Sequence, residues 1–209
     1  MKNSFRILAL AAVAAPAVFL TGCANGVQNP SGVPVTEMKA DERGFVAGTG
    51  VESQDLVAVT DKMARGVLGI PEIASAKVAP RIVLDPVVNE TRFPINKDIF
   101  LTRIRSQLNE KSMGKVRFLD REMMKTLERE RDLKRSGQVT ASSDPNVVEF
   151  RGADYFLTGK LQGLTTKSSQ GTSDYILYSF RLTDARTSEI VWESSSEIKK
   201  QGLEDAAYR

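Results

Sequence analysis

The chain has 209 residues, with 29 Lys and Arg against 26 Asp and Glu, no histidine, and a single cysteine at position 23. The missing histidine removes His-based nucleophile systems and imidazole metal sites, and one cysteine closes no intramolecular disulfide. Setting aside Lys2 and Arg6 leaves 27 basic against 26 acidic residues, too even a balance for a nucleic-acid footprint.

Lys2 and Arg6 form a basic end, and residues 7–20 form an apolar run rich in alanine and broken by Pro16. The run falls short of the roughly 20 apolar residues that a spanning helix needs, so residues 1–22 read as a signal peptide. It closes on Leu20-Thr21-Gly22-Cys23, a lipobox. Cleavage before Cys23 makes that residue the first of the mature protein, with its thiol carrying diacylglycerol. One acyl chain holds a protein to a bilayer only marginally, whereas two or three on one cysteine make detachment negligible. Ala24 stands where lipoproteins kept in the inner membrane commonly carry Asp. The expected address is therefore the outer membrane, with the lipid anchored through Cys23 and the domain facing the periplasm.

Residues 23–49 are Gly, Asn, Pro, Ser, Thr and charges without a sustained apolar period, and read as a flexible tether. Its roughly 27 residues reach at most ~90 Å when extended and about 30 Å as a coil. Ser53 is placed to cap a helix in which Leu56, Val59, Met63, Val67 and Ile70 share one face, and Gly69-Ile70-Pro71 stops it. Residues 81–88 read as a buried strand ending in a polar turn over 89–92, where Asn89 and Thr91 satisfy the turn's own backbone. A second helix is expected over 97–111, with Phe100, Ile104 and Leu108 on its apolar face, and a short strand over 115–119. Asp120 is placed to cap a third helix reaching Arg135, whose apolar face is thin: Met123, Met124, Leu127 and Leu133. Residues 125–135 hold five basic and three acidic residues and read as a solvated helix face, with Glu130 and Lys134 paired one turn apart. A polar loop over 137–145 and one or two helical turns over 146–151 follow.

The last third changes to alternating patterning. Strands are expected over 153–163, 174–183 and 190–198, with Ile176, Tyr178, Phe180 and Leu182 on one face of the second. Residues 184–189 join the last two as a hairpin, residues 165–173 read as a polar loop, and residues 199–209 as a terminal extension. The expected fold class is α+β: a layered domain over residues 50–198, with a mixed, largely antiparallel four- to five-stranded sheet packed by three to four helices.

The acidic residues are scattered, and there is neither a Gly-x-x-x-x-Gly-Lys-Ser/Thr nor a Gly-x-Gly-x-x-Gly motif. The reading is of a protein that is not an enzyme and has no cofactor, metal or small-molecule substrate. Tyr175, Tyr178 and Trp192 are the residue types that anchor protein interfaces, but on alternating strands core packing is an equal reading for them and the favoured one for Trp192.

Four segments taken in order carry a family resemblance: Gly50-Val51-Glu52-Ser53-Gln54-Asp55-Leu56; Pro86-Val87-Val88-Asn89-Glu90-Thr91; Ala153-Asp154-Tyr155-Phe156-Leu157-Thr158-Gly159-Lys160-Leu161; and Tyr178-Ser179-Phe180-Arg181-Leu182-Thr183-Asp184 continued by Ile190-Val191-Trp192-Glu193. With the lipobox, the chain resembles the LpoB family of outer-membrane lipoproteins that activate class A penicillin-binding proteins. The wider group of TolB N-terminal-like and CsgG-like domains has similar strands. The resemblance implies a non-enzymatic regulator that docks from its lipid tether on a peptidoglycan synthase and stimulates glycan polymerisation and crosslinking. The alternative is an envelope-assembly or secretion scaffold lipoprotein related to CsgG-like domains.

Overall fold

The structure, a computed structural model, describes residues 35–140 and 150–203. The lipobox residues Leu20, Thr21, Gly22 and Cys23, the sorting residue Ala24, and most of the helical turn expected over 146–151 lie outside the described residues; Phe150 and Arg151 carry no regular structure.

The first helix, α1 (Ser53–Gly69), is capped one residue earlier than expected. Glu52 is the N-cap: Asp55 accepts the Glu52 N–H at 2.9 Å, and Glu52 Oε1 accepts the N–H of Gly48 at 2.9 Å. A reciprocal cap needs an acceptor both at the cap and three residues on. Glu52 has Asp55 in that position, whereas Ser53 has Leu56. Val59, Met63 and Val67 line the buried face as their spacing predicts. Ile70 is extended ahead of Pro71, as a residue before proline prefers, and the short α2 (Pro71–Ala74) restarts with proline at its first position.

The single strand expected over 81–88 is two: β1 (Arg81–Leu84) and β2 (Val88–Glu90). Pro86 has no N–H to give to a ladder, so pairing lapses there and resumes at Val88. Asn89 and Glu90 belong to β2 rather than to the turn. Helix α3 (Asp98–Ser112) buries Phe100, Ile104 and Leu108 completely. Strand β3 (Arg117–Phe118) follows. Asp120 Oδ1 accepts the N–H groups of Glu122 and Met123, so it caps the turn ahead of α4 (Met124–Arg135) rather than the helix itself. Every residue of α4 is exposed or half-buried, and Met123 and Leu127 are each 43% exposed. The thin apolar face leaves this helix on the surface.

Strands β4 (Tyr155–Ser168), β5 (Gly171–Asp184) and β6 (Ile190–Gly202) form an antiparallel meander. Residues 165–173 are therefore hairpin, turning over Ser169 and Gln170, and not a loop. Alternation continues through them because Thr172 and Asp174 face inward, where Asp174 meets the Arg92 guanidinium. Strand β6 likewise runs past residue 198, because Lys200 points inward to Asp55. The sheet order is β3-β1-β4-β5-β6, with β2 also on β4; pairs among β1, β2, β3 and β4 are parallel. This is an α+β fold of mixed sheet and helices, with the core between the sheet's inner face and helices α1 and α3.

The helix and the edge of the sheet meet at Gly66. A Cβ there would fall 2.8 Å from Cζ2 of Trp192, which is half-buried on β6. Gly66→Ala gains up to about 1 kcal/mol of helix propensity but forces the indole to move, at about 1–3 kcal/mol. The expected net is a loss of about 1 kcal/mol in urea unfolding, with a changed emission from Trp192, the chain's only tryptophan.

Candidate docking surface

Strand pleating sends alternate residues of the meander to opposite faces. On β5, Thr172, Asp174, Ile176, Tyr178, Phe180 and Leu182 are buried, and Ser173, Tyr175, Leu177, Ser179 and Arg181 point away from α1 and α3. The register fixes their neighbours on this outward face: Tyr175 lies between Leu164 and Lys199, Leu177 between Gln162 and Glu197, and Arg181 between Thr158 and Glu193. The face thus has an apolar centre of Leu164, Tyr175 and Leu177, with Leu164 at 67% exposure, and a polar margin.

The margin is ordered by pairing. Tyr175 donates its hydroxyl to Glu197 Oε2 at 2.9 Å, and that carboxylate raises the phenol pKa above its ordinary value. Lys160 Nζ lies 2.8 Å from Glu90 Oε1, and Gln162 donates to Glu90 Oε2 at 3.1 Å. The Lys160 hydrogen bond holds the Glu90 carboxyl below its usual range. Arg181 Nε donates to Thr158 Oγ1 at 3.2 Å. These groups are open to water, so they set geometry and charge pattern rather than stability. Between β2 and the meander lies a depression of about 470 Å³, lined by Asp85, Pro86, Lys160, Arg181 and Glu193 among others.

A buried polar clasp supports the opposite side of the same strands. Asp174 is 2% exposed; its Oδ1 accepts Arg92 Nε at 2.9 Å and the Thr165 hydroxyl, and its Oδ2 accepts Arg92 Nη2 at 2.5 Å. The Arg92 hydrogen bond outweighs the opposing effect of burial and holds the Asp174 pKa at about 2. Arg92 also reaches the Thr49 hydroxyl and lies over the Phe93 ring, its Cζ 4.3 Å from the centroid. Directly opposite Asp174 on β6, Lys200 donates to Asp55 Oδ2 and to the Gly50 carbonyl. The segment just ahead of α1 is thereby fastened to β5 and β6. Sequence reading missed this clasp. The available signal was an acid, Asp174, in phase with the apolar row Ile176, Tyr178, Phe180 and Leu182.

The three aromatic candidates do not come together. Tyr175 is on the outward face; Tyr178, three positions later, is fully buried with its ring centroid 6.1 Å from that of Phe100; Trp192 packs inward on Gly66. Tyr178 is therefore a core residue and not a docking residue, because odd spacing on a strand reverses the face. Asn89, in β2, holds the turn that follows with its side chain: its Oδ1 accepts the Thr91 N–H and hydroxyl, and its amide donates to the Phe93 carbonyl. Among the described residues, no group of three or more Cys, Asp and Glu is placed to hold a metal ion, and no helix is long and apolar enough to cross a membrane.

A family model described as the peptidoglycan-synthase activator LpoB matches residues 55–198. Among solved structures, the chain is similar to the LpoB C-terminal domain from Salmonella enterica, at 16% identity over 70% of this chain and 99% of that one, with a TM-score of 0.43. The corresponding domain from Escherichia coli gives 16% identity over the same shares and a TM-score of 0.41. Lipoprotein GNA1162 from Neisseria meningitidis gives 17% identity over 58% of this chain and 83% of that one, with a TM-score of 0.37. No curated protein matches the chain.

Proposed function

Because the chain belongs to the LpoB family of peptidoglycan-synthase activators, we propose that it acts without catalysis of its own, by docking on a class A penicillin-binding protein and raising that enzyme's glycan polymerisation. The outward face of the β4–β5–β6 meander is the docking surface in this reading. What supports it is the pattern on that face: Leu164, Tyr175 and Leu177 adjacent at the centre, with the paired charges of Glu90, Lys160 and Glu197 around them. An apolar or aromatic centre inside a polar rim is the anatomy of a protein interface, and tyrosine is among the residues that carry most binding energy in one. Cys23 supplies the lipid anchor in the outer membrane, Ala24 the sorting signal, and the domain faces the periplasm.

The test measures binding of the full chain to the periplasmic region of such a synthase, together with its glycan polymerisation rate. Tyr175→Ala combined with Leu177→Ala is expected to weaken binding at least tenfold, about 1.4 kcal/mol or more, and to abolish stimulation in step. Both residues lie outside the core, so thermal unfolding should be little changed. Absence of wild-type binding at tens of micromolar would sink the reading. Crosslinking in cells, with Cys23→Ser beside the wild type, tests the anchor: the synthase should be captured with the lipidated form alone.

A further inference from the structure

We propose that the free edge of β6 is a strand-addition site, taking an extended segment of the synthase as one more strand of the sheet. The proposal rests on the docking reading above and carries the same surface around the rim of the sheet.

Among the described residues, β6 pairs with β5 and with no other strand, and it is the last strand of the sheet. The opposite end of the sheet is β3, two residues long; β6 is thirteen. Edge strands are normally blunted by shortness, proline, a bulge, charged side chains or a covering helix, because their unpaired N–H and C=O groups template a further strand; on β6 the devices present are the inward Lys200 near its end and the Lys62 ammonium at Ser195. Strand β6 has no proline, and its register irregularity falls at its start, opposite Leu182 and Thr183. From Glu193 to Gly202 the strand keeps one register. The Ser195 carbonyl accepts Nζ of Lys62 from α1 at 2.6 Å. That contact marks Ser195 as a residue whose backbone turns toward the free edge, and places there an ammonium that the N–H of an added strand would displace.

The charges beside Ser195 select the occupant. Glu193 and Glu197 flank it on the outward face, both exposed. A second copy pairing antiparallel about Ser195 would set Glu193 of one copy opposite Glu197 of the other, twice, and like charges directly opposite are destabilising. A segment of another protein with Lys or Arg two positions either side of its central residue makes two opposite-charge pairs instead. Ser194, Ser195 and Ser196 are small and leave room for larger side chains on the incoming strand. Glu197 also accepts the Tyr175 hydroxyl, so an added strand would lie against the outward patch itself. The geometry points to an extended synthase segment with basic residues at i and i+4, its main chain giving affinity and its side chains specificity.

Ser195→Pro removes an N–H at the free edge and leaves the ladder to β5 in place, the arrangement in which edge strands tolerate proline. With the full chain, the expected result is at least tenfold weaker binding to the synthase's periplasmic region and unchanged thermal unfolding. Glu193→Lys with Glu197→Lys alters no backbone and is expected to weaken binding by a similar factor. Because Glu197 also borders the docking face, amide exchange decides between the two readings where the proline variant folds poorly. The amides of Glu193, Ser195 and Glu197 should gain exchange protection when synthase is added to the wild type. Full binding by both variants without that protection, while the Tyr175 and Leu177 double variant still fails, overturns strand addition and leaves the docking reading standing. Loss of all wild-type binding overturns both. Sedimentation of the chain alone as a dimer that Ser195→Pro dissociates overturns the proposal in favour of a second copy.

Discussion

Asp174→Ala is expected to lower the unfolding free energy by about 3 kcal/mol, read as a lower urea midpoint with an unchanged slope. Removing one member of a buried ion pair leaves the other desolvated without a counter-charge, at about 3–5 kcal/mol. The lower end applies because the Arg92 side chain is 32% exposed and recovers some hydration, whereas Asp174 is 2% exposed. Asp174→Asn keeps the shape and one acceptor and should cost about half as much. The pH dependence has a fixed sign. The folded pKa is held at about 2, chiefly by the Arg92 hydrogen bond, below the ordinary 3.8. The group therefore contributes its full stabilisation above about pH 4 and loses it as pH falls toward 2, a difference of about 2 kcal/mol. Asp174→Ala should flatten that part of the acid-unfolding profile, and a variant profile as steep as the wild type's would show that the clasp does not stabilise the fold. Because Arg92 also holds Thr49, amide exchange near residues 49–52 should rise in the same variant.

The two core helices and the buried row of β5 were legible because each is a simple period: Val59, Met63 and Val67 on α1, Phe100, Ile104 and Leu108 on α3, and Ile176 through Leu182 on β5. Local spacing specifies those faces without knowledge of their partners. Long-range pairing decided the rest. Residues 165–173 are polar enough to read as a loop, yet Arg92, 82 positions before Asp174, makes an inward acid tolerable and lets the strands continue. The extension of β6 depends in the same way on Asp55, 145 positions before Lys200. Parity on β5 already separated Tyr175 from Tyr178. Once Ile176, Tyr178, Phe180 and Leu182 share the buried face, Tyr175 must take the other, and the docking candidate is the tyrosine out of phase with the core. Trp192 offered no such inference, because the irregularity before it resets the phase of β6 against β5. The capping of α1 was legible in part: Glu52 and Asp55 have the spacing of a reciprocal cap, but Ser53 is the more usual N-cap type.

Gly159→Val is expected to cost at least about 3 kcal/mol. Gly159 pairs with Phe180 across β4 and β5, and the ring lies over the space a side chain would occupy. A Cβ there would stand 2.5 Å from Phe180 Cε1, 2.8 Å from Cδ1 and 3.1 Å from Val87 Cγ2. Phe180 and Val87 are themselves buried, at 1% and 0% exposure, so neither has open space into which to retreat. The strand propensity of valine returns at most about 1 kcal/mol, too little against ring displacement in a close-packed core. Glycine is required here by close approach rather than by backbone conformation. A double-mutant cycle isolates the cause: with Phe180→Ala as background, Gly159→Val should cost at least about 1 kcal/mol less than it does alone, because the cavity accepts the valine. Additive costs would mean that the strand backbone, and not the ring, resists the change. The effect reaches the outward face through the shared strands. Thr158 and Lys160 flank Gly159 on β4, and Arg181 follows Phe180 on β5, so a displaced ring shifts the polar margin beside the Leu164, Tyr175 and Leu177 patch. Synthase binding should therefore fall in Gly159→Val even at temperatures where the variant remains folded, and recover with the Phe180→Ala background to the extent that stability does.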